Sequence, residues 1–537
     1  MADEASIRPY LRQAYLFGLM VLAVSLTLSP FMMSVAQFWL AIVWIVDGIV
    51  AKDFKEKWSR FINNKAAVLL VLFYLMHVVG LIYTTDFQYA LKDLRVKLPI
   101  LVLPFIISGM APLDRKRFDL LMLVYVLSVF VATLFSFSTY VRHDYEDIRE
   151  ISRFISHIRF CLHIIFCVAI IMYYLHRKRI SRGKGVPAFG LRVVADQFLI
   201  WFLWLWFLYQ IYIFESLSGY IILAAVIVVS ALYAFLQWKK GRGWRIGIGV
   251  FAVAVLVVGV VLLVHWVKPL VQVKPLDFSA LEKKTALGND YWHDTIHNPI
   301  EDGKYVGLYY CRKELHEAWA RRSNLPIDGK AKNGEKLEPT LARYLTSKDL
   351  RKDAEGVMAL TDEDVFNIEQ GVANYNNWKH PGLRARLSST LFEYGLYRKY
   401  DNPNGGSLSQ RIEFTRASFH IIRQHPWFGV GTGDVPQAFS QAYDKIHSPL
   451  KEEFRFRAHN QYLAIAVAFG LVGLVFFLVV LLYPYFSSKK HRTYLYTVFL
   501  CVILLSMFPE DTLETQAGAS LFAFFEALLL LAAPKES

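Results

Sequence analysis

The sequence predicts an all-α polytopic membrane protein: about twelve transmembrane helices, with a large, mostly helical periplasmic domain between the ninth and the tenth. Three observations predict it. Of the 537 residues, 55% are hydrophobic and 15% aromatic, a composition from which a soluble surface cannot be built. Apolar runs long enough to cross about 30 Å of hydrocarbon recur along the chain. The lysines and arginines of the short loops between those runs are concentrated on one side.

The runs lie near 13–29, 31–50, 66–83, 96–110, 118–139, 157–175, 197–214, 216–236, 246–265, 459–483, 493–508 and 518–533. The first lacks a small-residue cleavage site and passes through Ser29-Pro30 into the next, so it reads as an uncleaved span and not as a signal peptide. Pro99 and Pro104 interrupt the fourth, which a span tolerates where neighbouring helices satisfy the freed backbone groups.

Orientation follows from the loops. With the N-terminus inside, the inner loops carry Lys52, Lys55, Lys57, Arg60 and Lys65, then Arg115, Lys116 and Arg117. Next come Arg177, Lys178, Arg179, Arg182, Lys184 and Arg192, then Lys239, Lys240, Arg242 and Arg245, and last Lys489, Lys490 and Arg492. The alternate loops are sparse or acidic, as at Asp144, Glu146, Asp147 and Glu150, or Glu510, Asp511 and Glu514. Both termini are therefore expected in the cytoplasm, and residues 266–458 outside, which in a bacterium means the periplasm. Much of the +14 net charge is then a topology signal, and no nucleic-acid partner is needed to explain it. Four cysteines are too few for a disulfide framework, and Cys311 is the only one in the outer segment.

The expected division is 1–265 for the first nine spans, 266–458 for the outer domain and 459–537 for the last three spans. Lys268 to Pro275 reads as an extended linker, because proline disfavours helix in the residue before it. Helical patterns follow near 308–322, 338–353, 361–374, 383–399 and 408–424, with a break at 401–406.

Chemistry is expected where this cap meets the spans, with its catalytic part at about 405–458. One candidate segment holds Arg411 and Arg416 and leads into His425-Pro-Trp-Phe-Gly-Val-Gly-Thr-Gly433; the other is Arg455-Phe-Arg457-Ala-His459-Asn460. Arg455 and His459 are four apart and are predicted to share a helical face, with Arg457 directed elsewhere. Guanidinium donors match phosphate oxygens, so the cluster suits an anionic lipid headgroup; the alternative is that these arginines merely reach for the interface. Positive-inside statistics count against the alternative on the outer side. The glycines at 429, 431 and 433 have neither the preceding strand nor the lysine of a phosphate loop, and read as a tight turn.

These residues resemble the O-antigen ligase/polymerase superfamily: the His425–Gly433 turn, Arg411 upstream of it, and His459-Asn460 opening a span. Twelve spans with a large loop between the ninth and tenth resemble its ligase branch. The 280–400 insert, with Thr340-Leu-Ala-Arg-Tyr-Leu-Thr-Ser-Lys348 and Arg351-Lys-Asp353, resembles versions seen in Bacteroidetes-type bacteria.

The resemblance implies a metal-independent, inverting glycosyltransferase of the membrane-embedded C type, without a cofactor. Its donor would be an undecaprenyl-diphosphate-linked glycan, its acceptor a sugar hydroxyl of lipid A–core, and its place the periplasmic face of the inner membrane. His459 matches the family's essential histidine and would orient or deprotonate the acceptor; an imidazole of ordinary pKa, about 6.5, suits that work near neutrality. Arg411 matches the arginine that holds the diphosphate and stabilises charge as it leaves. Arg416, Arg455, Arg457 and Asn460 would line the diphosphate or acceptor.

One departure stands out. Many members carry an arginine after a Ser-x-Ser stretch opening a mid-protein span, and here Ser216-Leu-Ser218-Gly219-Tyr220 has none. Replacements follow from topology: Arg159, with His157, opens the sixth span at its outer end, and Arg95 and Lys97 open the fourth. Arg159 is the expected substitute, against a purely interfacial role. Glu215 could polarise the acceptor, although pairing with an arginine is the commoner use of such a carboxylate.

A metal site is conceivable at His293, Asp294 and His297 with Glu301 and Asp302, but Pro299 and Gly303 mark an irregular segment. The acidic 509–514 loop either positions an acceptor sugar or stays solvated, and the solvated reading is the expected one. Two other functions compete: polymerisation of lipid-linked repeats by the same chemistry, and a lipid-linked-glycan flippase or transporter. A transporter should carry ionisable groups in mid-span; only His77 and His163 qualify, and both read equally as core residues.

Overall fold

The computed structural model describes residues 2–142, 148–180, 197–237, 242–273, 275–404 and 406–534. The loop residues Asp144, Glu146, Asp147, Arg182, Lys184, Arg192, Lys239 and Lys240 lie outside it. Among the described residues the chain is almost wholly helical and divides into two compact units, one of Met1–Ala252, Phe414–Ser448 and Arg455–Ser537, the other of Val253–Glu413 and Pro449–Phe454.

Helices of the first part of the chain are α1 (Ala2–Leu28), α2 (Pro30–Ala51), α3 (Phe54–Ile62), α4 (Lys65–Val79), α5 (Phe87–Gly109), α6 (Arg115–Arg142), α7 (His157–Ile180), α8 (Gln197–Phe214), α9 (Leu217–Gln237) and α10 (Arg242–Val271). Their boundaries follow local chemistry. Ser29 accepts from the Met32 amide to cap α2, whose first residue is Pro30; Asn64 caps α4 in the same way. Burial then sorts the faces. Met33, Ala36, Leu40 and Val43 of α2 are buried, whereas Phe38, Ile42, Ile45 and Ile49 form an exposed stripe at helical spacing. Water would penalise such a stripe; hydrocarbon does not.

Seven described helices are long and apolar enough to cross a membrane: Ile7–Leu28, Pro30–Ala51, Lys65–Tyr83, Arg115–Arg142, His157–Arg177, Leu217–Phe235 and Gln461–Ser487. Shorter apolar helices cover Phe198–Phe214, Val257–Val271, Tyr494–Ser506 and Gln516–Ala532. The protein is thus an all-α polytopic membrane protein. Two local expectations need correcting. α5 begins at Phe87, not near 96, and runs unbroken through Pro99 and Pro104. α10 continues to Val271 with Pro269 inside it, so the expected linker starts later: proline here ends a helix without preventing its last turn.

The second unit contains α11 (Arg312–Arg322), α12 (Leu337–Ser347), α13 (Ala354–Met358), α14 (Asp362–Gln370), α15 (Tyr375–Lys379) and α16 (Leu383–Tyr400). Leu315, Trp319, Leu341, Tyr344, Leu345, Val357 and Ile368 form its core. Thr361 and Asp364 make a reciprocal capping box for α14. A two-stranded hairpin, Ile300–Glu301 with Lys304–Tyr305, turns at Asp302 and Gly303, both with positive φ. Arg343 holds Glu301 through two hydrogen bonds of 2.8 and 2.9 Å, and Asn374 donates to Glu301 and Asp302.

After this insert come α17 (Ser407–Gln424) and α18 (Val435–Lys445), then the apolar α19 (Gln461–Ser487), α20 (Tyr494–Ser506) and α21 (Gln516–Ala527).

Candidate functional site

α19 is a broken span. Gly470 sits at φ 66°, ψ −165° inside it, which frees backbone groups that a bilayer cannot satisfy. The His425–Gly433 turn supplies the partners. Leu471 and Val472 amides donate to the Pro426 and Trp427 carbonyls at 2.8 and 3.3 Å, and Val430 and Gly431 amides donate to Val467 and Ala468 at 3.0 and 2.9 Å. The other side of the turn grips the end of α4. Thr432 Oγ1 donates to the His77 carbonyl at 2.7 Å, Tyr83 donates to the Phe428 carbonyl at 2.9 Å, and Asp434 accepts from the Thr85 and Asp86 amides. The tight turn read from the sequence is therefore a clamp, and it positions the half-helix that begins beside His459.

His459 precedes α19 and does not lie on it. Residues 455–460 are non-helical, and Asn460 is the cap: its side chain accepts from the Leu463 amide and donates to the Phe508 carbonyl. Arg455 and His459 consequently share no helical face, which corrects the expectation drawn from their spacing. His459 adopts φ 43°, a left-handed conformation that a non-glycine residue holds only where its surroundings impose it. Its ring lies against Phe414 and Phe456, with centroids 5.5 and 6.1 Å away.

The acidic 509–514 loop closes on this segment. Asp511 Oδ1 is 3.6 Å from His459 Nδ1, within ion-pair range of a protonated ring but beyond hydrogen-bond distance, and its side chain is only 6% exposed. Arg457 reaches Asp511 at 3.3 Å and Glu514 at 3.0 Å, and also donates to the Tyr89 hydroxyl. Glu514 takes further bonds from Lys97 at 2.8 Å and Gln461 Nε2 at 3.1 Å, and Lys97 in turn meets Asp93 at 2.6 Å. Burial by itself would raise the Glu514 carboxyl; Lys97 and Arg457 outweigh it and hold the group below the usual carboxylate range. The expectation of a solvated loop is thus wrong: the charges are drawn inward because basic groups on two other segments await them.

Arg159, at the start of α7, joins the same loop, 3.5 Å from Glu510, and donates to Ser156. Its Nε has no hydrogen-bond partner among the described residues. Cys161, two residues on, would lie 3.6 Å from a Cβ at Gly219, so the end of α7 adjoins the Ser216–Tyr220 turn where the arginine is absent. The nearest groups of His459, Glu510 and Asp511 lie within 4.8 Å of one another, close enough to hold a metal ion. Arg159 and Arg457 already offer positive charge to both carboxylates. A small cleft, partly open to solvent, borders Arg457 and is lined by His77, Tyr89, Lys97, Thr432, Phe439 and Phe469 among others.

The remaining candidates are scattered. Arg411 and Arg416 are carried by α17, Arg411 half-buried and Arg416 exposed. Arg455 pairs with Asp444 at 2.7 Å and lies over Tyr443. His157 stacks on Phe214. Arg95 is exposed on α5, away from the buried face that carries Lys97. Lys97 is buried well inside α5 and does not open it. Glu215 occupies a left-handed turn, φ 48°, between α8 and α9. His293 bonds the Tyr309 amide and the Glu282 carbonyl, Asp294 caps the Ile296 and His297 amides, and Glu301 is taken by Arg343.

Sequence reasoning missed Asp511, Glu514, Asp93, Tyr89 and Gln461 as partners of the site. The available signal was charge complementarity between the 509–514 loop and Arg455–Arg457. Two stability outcomes separate these arginines. Arg455→Ala is expected to cost under about 1 kcal/mol, because Asp444 is 67% exposed. Arg457→Ala is expected to cost about 2–3 kcal/mol, since it strips a partner from two buried carboxylates. Equal thermal midpoints for the two variants in detergent would refute the distinction.

Residues 357–478 match the family model described as O-antigen ligase. No curated protein matches the chain. The matched stretch runs from the end of α13 into α19 and takes in Arg411, the clamp turn and His459, but not the Thr340–Lys348 and Arg351–Asp353 motifs. This stretch, under a quarter of the chain, is similar to the O-antigen ligase family, a likeness that supports the O-antigen ligase superfamily and suggests a lipid-linked glycan transferase in lipopolysaccharide or polysaccharide synthesis.

Proposed function

We propose that the protein transfers a glycan from undecaprenyl diphosphate to a hydroxyl of lipid A–core at the periplasmic face of the inner membrane, with inversion and without a metal ion. The observation that carries this reading is the approach of buried Asp511 to His459, the histidine itself lying inside the stretch that matches the family. With Nδ1–H turned toward Asp511, Nε2 is left as the acceptor for the hydroxyl proton. The hydroxyl oxygen attacks the anomeric carbon, the carbon–oxygen bond to the diphosphate breaks, and the diphosphate departs with the electron pair. The proton stays on His459, and the Asp511 charge stabilises the imidazolium.

Arg411 and Arg416 are assigned to the diphosphate on the resemblance, and Arg159 as the substitute for the missing arginine. The unpartnered Arg159 Nε and its place beside the Ser216–Tyr220 turn support that assignment. Arg457 and Lys97 already serve carboxylates.

Orientation has its own support. Lys57 and Arg60 sit at the Gly109 end of α5, where Arg60 donates to the Gly109 carbonyl, and Arg457 meets Tyr89 at the other. The 23 residues of α5 span roughly 34 Å, about one hydrocarbon thickness. Exposed Trp427, Phe428 and Phe508 suit a membrane–water boundary at the His459 end.

Deleting the gene and resolving lipopolysaccharide on a gel tests the reading. Loss of every glycan-bearing band is the expected result. Persistence of a single-repeat band would transfer the assignment to a polymerase, and an unchanged ladder would remove both.

A further inference from the structure

We infer that Asp93, Lys97 and Glu514 are positioning residues for His459, acting through Arg457 and Asp511; the inference rests on the function proposed above. The five charges form one continuous path. Asp93 holds Lys97 at 2.6 Å, Lys97 holds Glu514 at 2.8 Å, and Glu514 holds Arg457 at 3.0 Å. Arg457 holds Asp511 at 3.3 Å, and Asp511 faces His459 at 3.6 Å. The path starts in the interior of α5, crosses the loop after α20 and ends on the segment before α19. Gln461 locks the crossing point: its amide donates to the Met507 carbonyl, its Oε1 accepts from the Leu513 amide at 2.7 Å, and its Nε2 holds Glu514.

The side chains of Asp93, Lys97 and Glu514 are 9%, 3% and 8% exposed. Taking each such charge out of water costs several kcal/mol, and apolar residues of similar volume are often as stabilising or more so. Packing of α5 against α4 and α21 therefore does not require them. What they supply is direction. Lys97 and Gln461 fix where the Glu514 oxygens sit, Glu514 and Asp511 together fix the guanidinium plane of Arg457, and Arg457 holds Asp511 Oδ2, which sets the direction of the other oxygen, Oδ1, toward His459 Nδ1. Displacing that oxygen by about 1 Å is enough to lower turnover on the order of 100-fold.

The test uses purified full-length protein in lipid nanodiscs. The donor is lipid-linked glycan extracted from the deletion strain, and the acceptor is that strain's glycan-free lipopolysaccharide. Asp93→Leu/Lys97→Met removes a neutral pair, and Glu514→Gln keeps the shape while removing the charge. Both are expected to lower kcat about 10–100-fold, with KM for either substrate within about twofold and Tm within a few degrees of the wild type. Wild-type kcat in both variants, with His459→Ala inactive, would overturn the inference. So would a fall in Tm that accompanies the loss of activity in both, which would mark a structural role. Full activity in His459→Ala would instead remove the function on which the inference rests.

Discussion

His459→Ala is expected to abolish glycan transfer while leaving the amount of protein in the membrane unchanged. The imidazole is 36% exposed at the mouth of α19, and it meets Phe414 and Phe456 only in tilted contact. Little folding energy is lost with it. A positioned general base contributes on the order of 100- to 10,000-fold to rate, and the Asp511 partner adds to what is lost. Immunoblotting of membranes beside a lipopolysaccharide gel reads both quantities. A wild-type ladder in the variant would end the mechanism.

Gly470→Ala and Gly429→Ala are expected to have the opposite signature: little folded protein, whatever the activity per molecule. A Cβ at Gly470 would stand 2.3 Å from the Trp427 carbonyl carbon and oxygen, and one at Gly429 would stand 2.4 Å from the Ala468 carbonyl carbon. Both obstacles are backbone and cannot swing aside. The two glycines have φ 66° and 67°, where an L side chain is strained. We expect a loss of at least about 3 kcal/mol, seen as aggregation or an absent monodisperse peak in detergent extracts. Gly395, inside α16 with nothing within 4 Å of an added methyl group, is the control: Gly395→Ala should be neutral or stabilising by up to about 1 kcal/mol. If all three alanine variants behave alike, the clamp is not a constraint.

The sequence carried the helical class and most helix positions because hydropathy and periodicity are local quantities. Leu383–Tyr400 and Asp362–Gln370 fell close to the patterns at 383–399 and 361–374 for that reason. The break at Gly470 did not show, because Leu, Val, Phe and Gly read as one apolar run whether or not the backbone is continuous. Arg411, His459 and the turn were legible through resemblance. Their partners were not. Lys97 and Glu514 are 417 positions apart, and nothing in a single sequence relates an acidic loop to a lysine so far away. Asn460 was legible as a residue of interest, but its role as the cap of α19 was not, since the helix start could not be read from the sequence. The insert near 280–400 folds around its own core, whose residues lie too far apart in sequence for their packing to be read from local pattern.

The clamp has a practical bearing on protein engineering. Anyone wishing to graft this family's short glycine-rich motif onto another scaffold would find that the motif alone is not a portable module. Four of its hydrogen bonds end on the two halves of one interrupted helix, and others end on the tip of α4. The smallest piece that can be moved comprises all three segments, because each leaves the others with unmet backbone groups in an apolar medium.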